Sequence, residues 1–170
     1  MLQKMKFLPM LCLLLVFSLF LNATPFHAAT KFQSNEADAL LKWKASLDNN
    51  SKALLSSWTG NYPCRWEGIT CDDESKSIYK VNLTNIGLKG TLQSLNFSSL
   101  SKFRSLVLRN NSFYGIVPNH IGVMSNLETL DLSLNELSGR IPNSIDNLSK
   151  LSYLDVSIIS MDQSLLLLES

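Results

Sequence analysis

Apolar residues recur along the second half of the chain at a fixed interval of 24 positions. Ten positions of one segment match, in chemical type, the ten that lie 24 residues later, and partial copies precede and follow them. The first set is Leu100, Phe103, Leu106, Leu108, Asn111, Phe113, Gly115, Val117, Pro118 and Ile121. The second set is Met124, Leu127, Leu130, Leu132, Asn135, Leu137, Gly139, Ile141, Pro142 and Ile145. This interval indicates about three and a half repeats.

The pattern L-x-L within each repeat predicts a short strand with one buried face, because alternate side chains of a strand point the same way. One strand cannot bury that face alone, so successive coils are expected to stack and share a leucine core. Asn111 and Asn135 are predicted to turn inward and bond backbone groups that the strands leave unpaired. The predicted fold class is an α/β solenoid, an arc of short parallel strands.

A helix is predicted before the repeats, where Leu40, Leu41, Trp43 and Leu47 fall at helical spacing. Ser34 is the predicted N-cap, and the helix is expected to run to about Leu47. Glu36 and Asp38 would then lie near the helix N-terminus, where the helix dipole favours negative charge. The helix is interpreted as a lid over the first coil.

The remainder of this cap is predicted to contain a second short helix around residues 53–58. Trp58 and Trp66 are interpreted as packing residues. The alternative is that a tryptophan near the solvent edge binds a sugar by stacking.

The first 29 residues have the features of a secretory signal peptide, because Lys4 and Lys6 precede an apolar stretch over residues 7–21. Cleavage after Ala23 and cleavage near residues 28–29 both fit the sequence. An uncleaved anchor is the alternative, but about 15 apolar residues fall short of the roughly 20 that a membrane-spanning helix needs. We therefore expect a secreted chain with no transmembrane helix after the signal.

Removal of the signal peptide leaves two cysteines, Cys64 and Cys71. An even pair in an oxidising compartment predicts a disulfide. A redox or zinc site would need C-x-x-C spacing or further ligands, and neither is present around these two residues.

Two segments carry a family resemblance. LRNNSFYGIVPNHIGVMSNLETLDLSLNELSGRIPNSIDNLSKLSYLDVS resembles the 24-residue plant-specific leucine-rich repeat with its G-x-I-P second strand. EADALLKWKASLDNNSKALLSSWTGNYPCRWEGITC is similar to the N-terminal cap of plant leucine-rich-repeat receptor kinases and receptor-like proteins. The resemblance implies that Cys64 and Cys71 pair within the cap and that the repeats form a right-handed superhelical arc. It also implies that such a receptor continues with more repeats, a transmembrane helix and a kinase.

The predicted organisation is a signal peptide over residues 1–29, a cap over 34–76, repeats over 77–158 and a divergent tail over 159–170. The tail departs from the family pattern, since Ile159 stands where Asn is expected and Gln163 where Gly is expected. This departure suggests a truncated product, either a gene fragment or an altered transcript.

Composition and charge point to a binding protein of ordinary globular character, with 45% hydrophobic and 17% charged residues and a net charge of +1. Nothing in this charge favours nucleic acid. Kinase motifs are absent from the sequence, and His120 stands without partners for a catalytic triad, so we expect no enzymatic activity and no cofactor.

The acidic run at residues 72–74 could suggest a calcium site. It lacks the alternating oxygen ligands of a calcium loop, however, and is interpreted as a solvated turn.

The outward-facing strand residues are the candidate binding face, and they are expected to form columns up the stack. The residues assigned to this face are Ser105, Val107, Arg109, Thr129, Asp131, Ser133, Tyr153 and Asp155. Arg104 is expected to pair with Glu128 beside the face. The alternative is an ordinary hydrated surface, because Tyr153 is the lone aromatic residue where a binding hot spot would have several.

Sequons for N-glycosylation are further candidate sites in a secreted chain, and they occur at Asn49, Asn82, Asn96, Asn110 and Asn147. A glycan on Asn82 would cover the first coil of the binding face, so partner contact is predicted to avoid that coil.

Two functions fit these features. The chain resembles the start of an extracellular receptor ectodomain that recognises a peptide or protein, with a co-receptor ectodomain as a further candidate partner. The alternatives are a free secreted inhibitor of cell-wall-degrading enzymes and a truncated product without function. The expected location is the extracellular space, or the cell surface if a longer form carries an anchor.

Overall fold

The computed structural model describes residues 26–157, with side-chain positions from Asn35 onward. In this range two helices come first, α1 (Phe26–Ser46) and α2 (Asn49–Leu54). The strands are β1 (Ile69–Cys71), β2 (Ile78–Asn82), β3 (Lys89–Gly90), β4 (Ser105–Val107), β5 (Ser112–Gly115), β6 (Thr129–Asp131), β7 (Glu136–Leu137) and β8 (Tyr153–Asp155). Short 3₁₀ turns lie at Pro63–Arg65, Phe97–Ser99, Asn119–Val123 and Asn143–Asn147. The predictions for residues 1–25 and for the tail, including Ile159 and Gln163, fall outside the described residues.

The main sheet contains β1, β2, β4, β6 and β8 in that order. Its last four strands are parallel, and Val81, Leu106, Leu130 and Leu154 stand opposite one another on successive strands. Each strand therefore adds one coil, and the predicted leucine-rich-repeat solenoid is confirmed. The leucine pattern does not predict β1, which pairs antiparallel with β2 and closes one edge of the sheet.

A second, smaller sheet of β3, β5 and β7 lies on the other side of the coils. Lys89 stands opposite Ser112 and Tyr114 stands opposite Glu136, so its strands pair 23 and 22 residues apart rather than 24. These strands end at or before the glycine of each repeat, and the expectation that G-x-I-P itself forms the second strand is wrong. Pro118 and Pro142 instead precede the 3₁₀ turns, because proline has no N–H to donate to a strand ladder.

The predicted apolar positions close the interior of the coils. Phe103, Leu106, Leu108, Leu127, Leu130 and Leu132 are each 2% exposed or less. Burial of such side chains is the main contribution to the stability of the stack, at roughly 2 kcal/mol for each fully buried leucine.

Two inward-facing asparagines join neighbouring coils. The Asn111 amide donates to the carbonyls of Leu83 (2.7 Å) and Leu108 (2.9 Å), and its oxygen accepts from the N–H of Leu88 (2.9 Å). Asn135 makes the corresponding contacts one coil later and is 6% exposed. Each side chain thus pairs backbone groups that neither sheet satisfies.

Helix α1 begins at Phe26, and the prediction that Ser34 is its N-cap is therefore wrong. Residues upstream of Ser34 include Ala28, Ala29 and Lys31, which have high helix propensity, so the helix extends beyond the first capping signal. The predicted end near Leu47 agrees with the observed end at Ser46. Glu36 consequently lies inside the helix rather than at its N-terminus.

Helix α2 spans Asn49–Leu54 rather than the predicted 53–58. Asp48 is its N-cap, and one carboxylate oxygen accepts from the N–H of Ser51 at 2.8 Å. The hydroxyl of Ser51 accepts from the N–H of Lys89 at 2.7 Å, which fixes this helix against the first coil. The prediction missed the capping signal at Asp48.

The tryptophans of the cap form its core. Trp43 and Trp58 are fully buried, Trp66 is 4% exposed, and the rings of Trp58 and Trp66 stack with centroids 5.4 Å apart. The ring of Trp43 stacks on Phe113 at 5.6 Å, so the cap packs directly on the repeats. The packing interpretation is confirmed, since rings buried in this way present no face to a sugar.

The disulfide Cys64–Cys71 joins the Pro63–Arg65 turn to β1, with the two Cα atoms 5.5 Å apart. It closes the end of the cap against the first strand of the main sheet. The prediction from the cysteine count and the family resemblance agrees with this contact.

Candidate binding face

The outward side chains of the parallel strands form a continuous surface, which we call the strand face. Strand register aligns Lys80, Ser105, Thr129 and Tyr153 in one column and Asn82, Val107, Asp131 and Asp155 in a second. Thr84, Arg109, Ser133 and Ser157 follow the strands as a third column, and backbone hydrogen bonds continue the ladder through it. The structure therefore brings together all the residues assigned to the binding face.

Arg109 crosses the strand face and contacts the two following coils. Its guanidinium donates to the hydroxyl of Ser133 at 2.7 Å and lies 3.6 Å from a carboxylate oxygen of Asp155. The Ser133 hydroxyl in turn donates to Asp131 at 2.6 Å. This network leaves Ser133 fully buried and Asp131 7% exposed, so a partner would reach them only by displacing Arg109.

Asp155 is held in its ionised form by its neighbours. The N–H of Ser157 donates to Asp155 at 3.0 Å. The backbone and hydroxyl of Ser157 lower the pKa of Asp155 below its usual value, and Ser133 and Arg109 act in the same direction. The last described coil thus presents a carboxylate beside Tyr153, which is 48% exposed.

The eight residues assigned to the binding face are not equally accessible. Ser105, Val107, Thr129 and Tyr153 are partly or fully exposed, whereas Asp131 and Ser133 are covered. The sequence contains a signal for the covering of Asp131 and Ser133. Arg109 precedes Ser133 by one repeat, and its side chain is long enough to reach Asp155 on the coil after that.

Asn82 lies at the first coil of the strand face and is exposed. Its side-chain oxygen accepts from the N–H of Thr84 at 3.2 Å and from the Thr84 hydroxyl at 2.7 Å. The other sequon asparagines are exposed too, at Asn49, Asn96, Asn110 and Asn147. Glycosylation at these positions stays a prediction.

The residue that follows the third column adopts a left-handed conformation in three successive coils. The φ angles are 57° for Asn85, 55° for Asn110 and 54° for Leu134. The amide of Asn110 donates to the side-chain oxygen of Asn85 at 2.9 Å. Leucine rarely adopts this conformation, which costs roughly 1 kcal/mol, and Leu134 is 39% exposed at the edge of the strand face.

The turns beside the strand face are polar. Arg104 lies 3.9 Å from Glu128, with exposed side-chain fractions of 65% and 47%, so this ion pair contributes little. A carboxylate oxygen of Asp72 accepts from the N–H and the hydroxyl of Ser75 at 2.8 and 2.9 Å, which forms the turn after Cys71. In the part of the chain from Asn35 to Ser157, no three His, Cys, Asp or Glu side chains are grouped as a metal site would require.

Comparison with known families finds two matches. The Leucine rich repeat N-terminal domain matches residues 33–72, and the Leucine rich repeat matches residues 101–157. The chain is 39% identical over 120 residues to MDIS1-interacting receptor like kinase 2 of Arabidopsis thaliana, an alignment that covers 68% of this chain and 11% of that protein.

Two solved structures show the same architecture. The PEPR1–AtPEP1 structure superposes with a TM-score of 0.64 at 34% identity, over 71% of this chain and 17% of that one. The structure of the Arabidopsis receptor kinase HAESA with the peptide hormone IDA and the co-receptor SERK1 gives 0.62 at 36% identity, over 70% of this chain and 20% of that one. The chain thus spans a small part of the proteins it matches.

Between residues 26 and 157, no helix is long and apolar enough to cross a membrane.

Proposed function

Because the chain belongs to the leucine-rich-repeat family and is related to plant receptor-kinase ectodomains, we propose that its strand face binds an extracellular peptide or protein. The observation that carries this proposal is the register of the parallel strands. Side chains from four coils are held in fixed columns on one surface. Such preorganisation reduces the entropy that a partner must remove on binding.

The chemistry of the strand face suits an extended polypeptide. Val107 offers an apolar contact beside the column that carries the hydroxyl groups of Ser105 and Thr129, and Tyr153 offers an exposed aromatic ring. Arg109 can donate to a partner carbonyl or carboxylate with the N–H groups that Ser133 does not use.

The class of partner is proposed by analogy with the related structures. The PEPR1 and HAESA structures are described as complexes with AtPEP1 and with IDA, and the latter also contains the co-receptor SERK1. For this chain we propose the class of partner only, which is a secreted peptide or the ectodomain of a co-receptor. The corresponding location is the extracellular side of the plant cell.

A matched pair of variants tests this proposal. Val107→Glu with Thr129→Glu places two charges on the strand face, whereas Ser101→Glu with Ser125→Glu places two charges in the exposed turns before β4 and β6. Binding of the full secreted chain to synthetic AtPEP1, to IDA and to the SERK1 ectodomain is measured by interferometry. We expect one of these to bind and the strand-face variant to lose about tenfold or more in affinity.

The control variant should bind within about twofold of the unmodified chain. Thermal unfolding of both variants identifies any loss of fold. Retained binding by the well-folded strand-face variant, or equal loss in the two variants, would place the contact elsewhere.

A further inference from the structure

Glu36 is a carboxyl group buried between the cap and the first coil. Its side chain is 0% exposed. One oxygen, Oε2, accepts from the N–H of Ile78 at 3.0 Å, and Ile78 is the first residue of β2. Glu36 therefore connects α1 directly to the sheet, across 42 positions of sequence.

The second oxygen, Oε1, has no hydrogen-bond partner among the residues that the structure describes. A buried carboxylate with an unsatisfied oxygen is strongly disfavoured relative to the neutral acid. Burial accordingly raises the pKa of Glu36 from 4.5 to about 7, although the Ile78 N–H and Lys102 act in the opposite direction. The neutral form is the one that fits this site.

Between Asn35 and Ser157, no charged side chain forms an ion pair with Glu36. Lys102, in the segment before β4, acts on it through space and is exposed. Lys44 of α1 is instead bound to the carbonyls of Leu55 and Trp58, at 2.8 and 3.1 Å. From Asn35 onward, other charged side chains of α1 and its neighbours are partly or fully exposed, among them Asp38, Lys42, Asp48, Lys52, Arg65, Lys76 and Lys80.

We propose that the buried side chain of Glu36 is a pH-dependent latch: the protonated form holds the cap on the first coil, and ionisation weakens this attachment because the carboxylate is buried with one oxygen unpaired. The contact between the cap and the repeats also includes Trp43, which packs on Phe113, and Leu47, which packs on Gly90. Ionisation of Glu36 is expected to weaken this contact. The latch is independent of any partner on the strand face.

The direction of the pH effect follows from proton binding. In the unfolded chain Glu36 titrates near 4.5, whereas in the folded chain it titrates near 7. Between these values the folded state keeps a proton that the unfolded state has released, so stability falls as pH rises from about 4.5 through about 7 and then levels off. The full shift corresponds to a change in the unfolding constant of at most roughly 300-fold.

The experiment compares the full secreted chain with its variants Glu36→Gln and Asp38→Asn. Gln keeps the size and an accepting oxygen but does not titrate, and Asp38 is an exposed carboxyl on the same helix. Urea unfolding is followed by tryptophan fluorescence at several pH values from 4.5 to 8.5. We expect the ratio of unfolding constants of the unmodified chain and Glu36→Gln to change at least tenfold across this range, while Asp38→Asn follows the unmodified chain.

Parallel pH profiles for the unmodified chain and Glu36→Gln would overturn the proposal. If Glu36→Gln does not fold, the carboxyl carbon of Glu36 is titrated by NMR in the unmodified chain. A midpoint near 7 supports the latch, and a midpoint near 4.5 overturns it.

Discussion

The two ends of the described coil stack treat the same repeat positions differently. Val81 at the capped end is 0% exposed and Leu106 in the next coil is 1% exposed, whereas their counterpart Leu154 in the last described coil is 41% exposed. Val117 is 2% exposed, and its counterpart Ile141 is 44% exposed. The residues are chemically alike and the strands are in register, so the difference comes from whether another layer covers them. The repeat pattern fixes the direction in which a side chain points, and its neighbours fix how much it stabilises the fold.

Removal of Trp43 should produce the largest effect at the capped end. Its ring is fully buried against Phe113, and its Nε1–H donates to the carbonyl of Thr91 at 2.9 Å. Trp43→Ala should reduce the free energy of unfolding by about 3 to 5 kcal/mol, measured by urea denaturation. Tyr153→Ala, at a half-exposed ring, is the control and should cost less than about 1 kcal/mol. Similar losses in the two variants would remove the distinction between the ends.

A pair of leucine variants tests the comparison at one repeat position. Leu106→Ala should cost about 2 to 4 kcal/mol, because the cavity is enclosed by coils on both sides. Leu154→Ala should cost about 1 kcal/mol, because the side chain is already partly hydrated. Both values come from chemical denaturation of the full chain. Equal costs would contradict the difference in burial between these two coils.

The smallest expected effect is a gain in stability at Leu134. Leu134→Asn should raise the free energy of unfolding by about 0.5 to 1 kcal/mol, because asparagine tolerates the left-handed conformation better. The neighbouring coils already have asparagine at this position, in Asn85 and Asn110. Leu137→Asn, at a residue 2% exposed, is the opposite control and should destabilise. An unchanged or lower melting temperature for Leu134→Asn would show that the leucine makes a compensating contact.

The coil architecture could be predicted from the sequence because it depends on a local, repeated signal. Leu106 and Leu130 share both spacing and environment, so the 24-residue interval determines their register. The cap has no such repetition. The start of α1 depends on helix propensity upstream of Ser34, and the start of α2 depends on a single cap at Asp48.

The properties of individual polar groups could not be predicted from spacing alone. Glu36 has the sequence position of a surface residue near a helix start, but the longer helix directs it at the N–H of Ile78. Arg109 belongs to the predicted face, yet its contacts with Ser133 and Asp155 depend on side-chain reach across two coils. Such long-range contacts are decided by tertiary packing.

The two edge strands of the main sheet, β1 and β8, differ in how well they could pair with a further strand. β1 is three residues long, its pairing shifts between Thr70 and Cys71, and its last residue is fixed by the disulfide. Short and irregular strands are poor templates for pairing with another chain. β8 is regular and in register, and within residues 26–157 no strand pairs with its outer edge. An additional strand, from the same polypeptide or from another molecule, would therefore pair more readily with β8 than with β1.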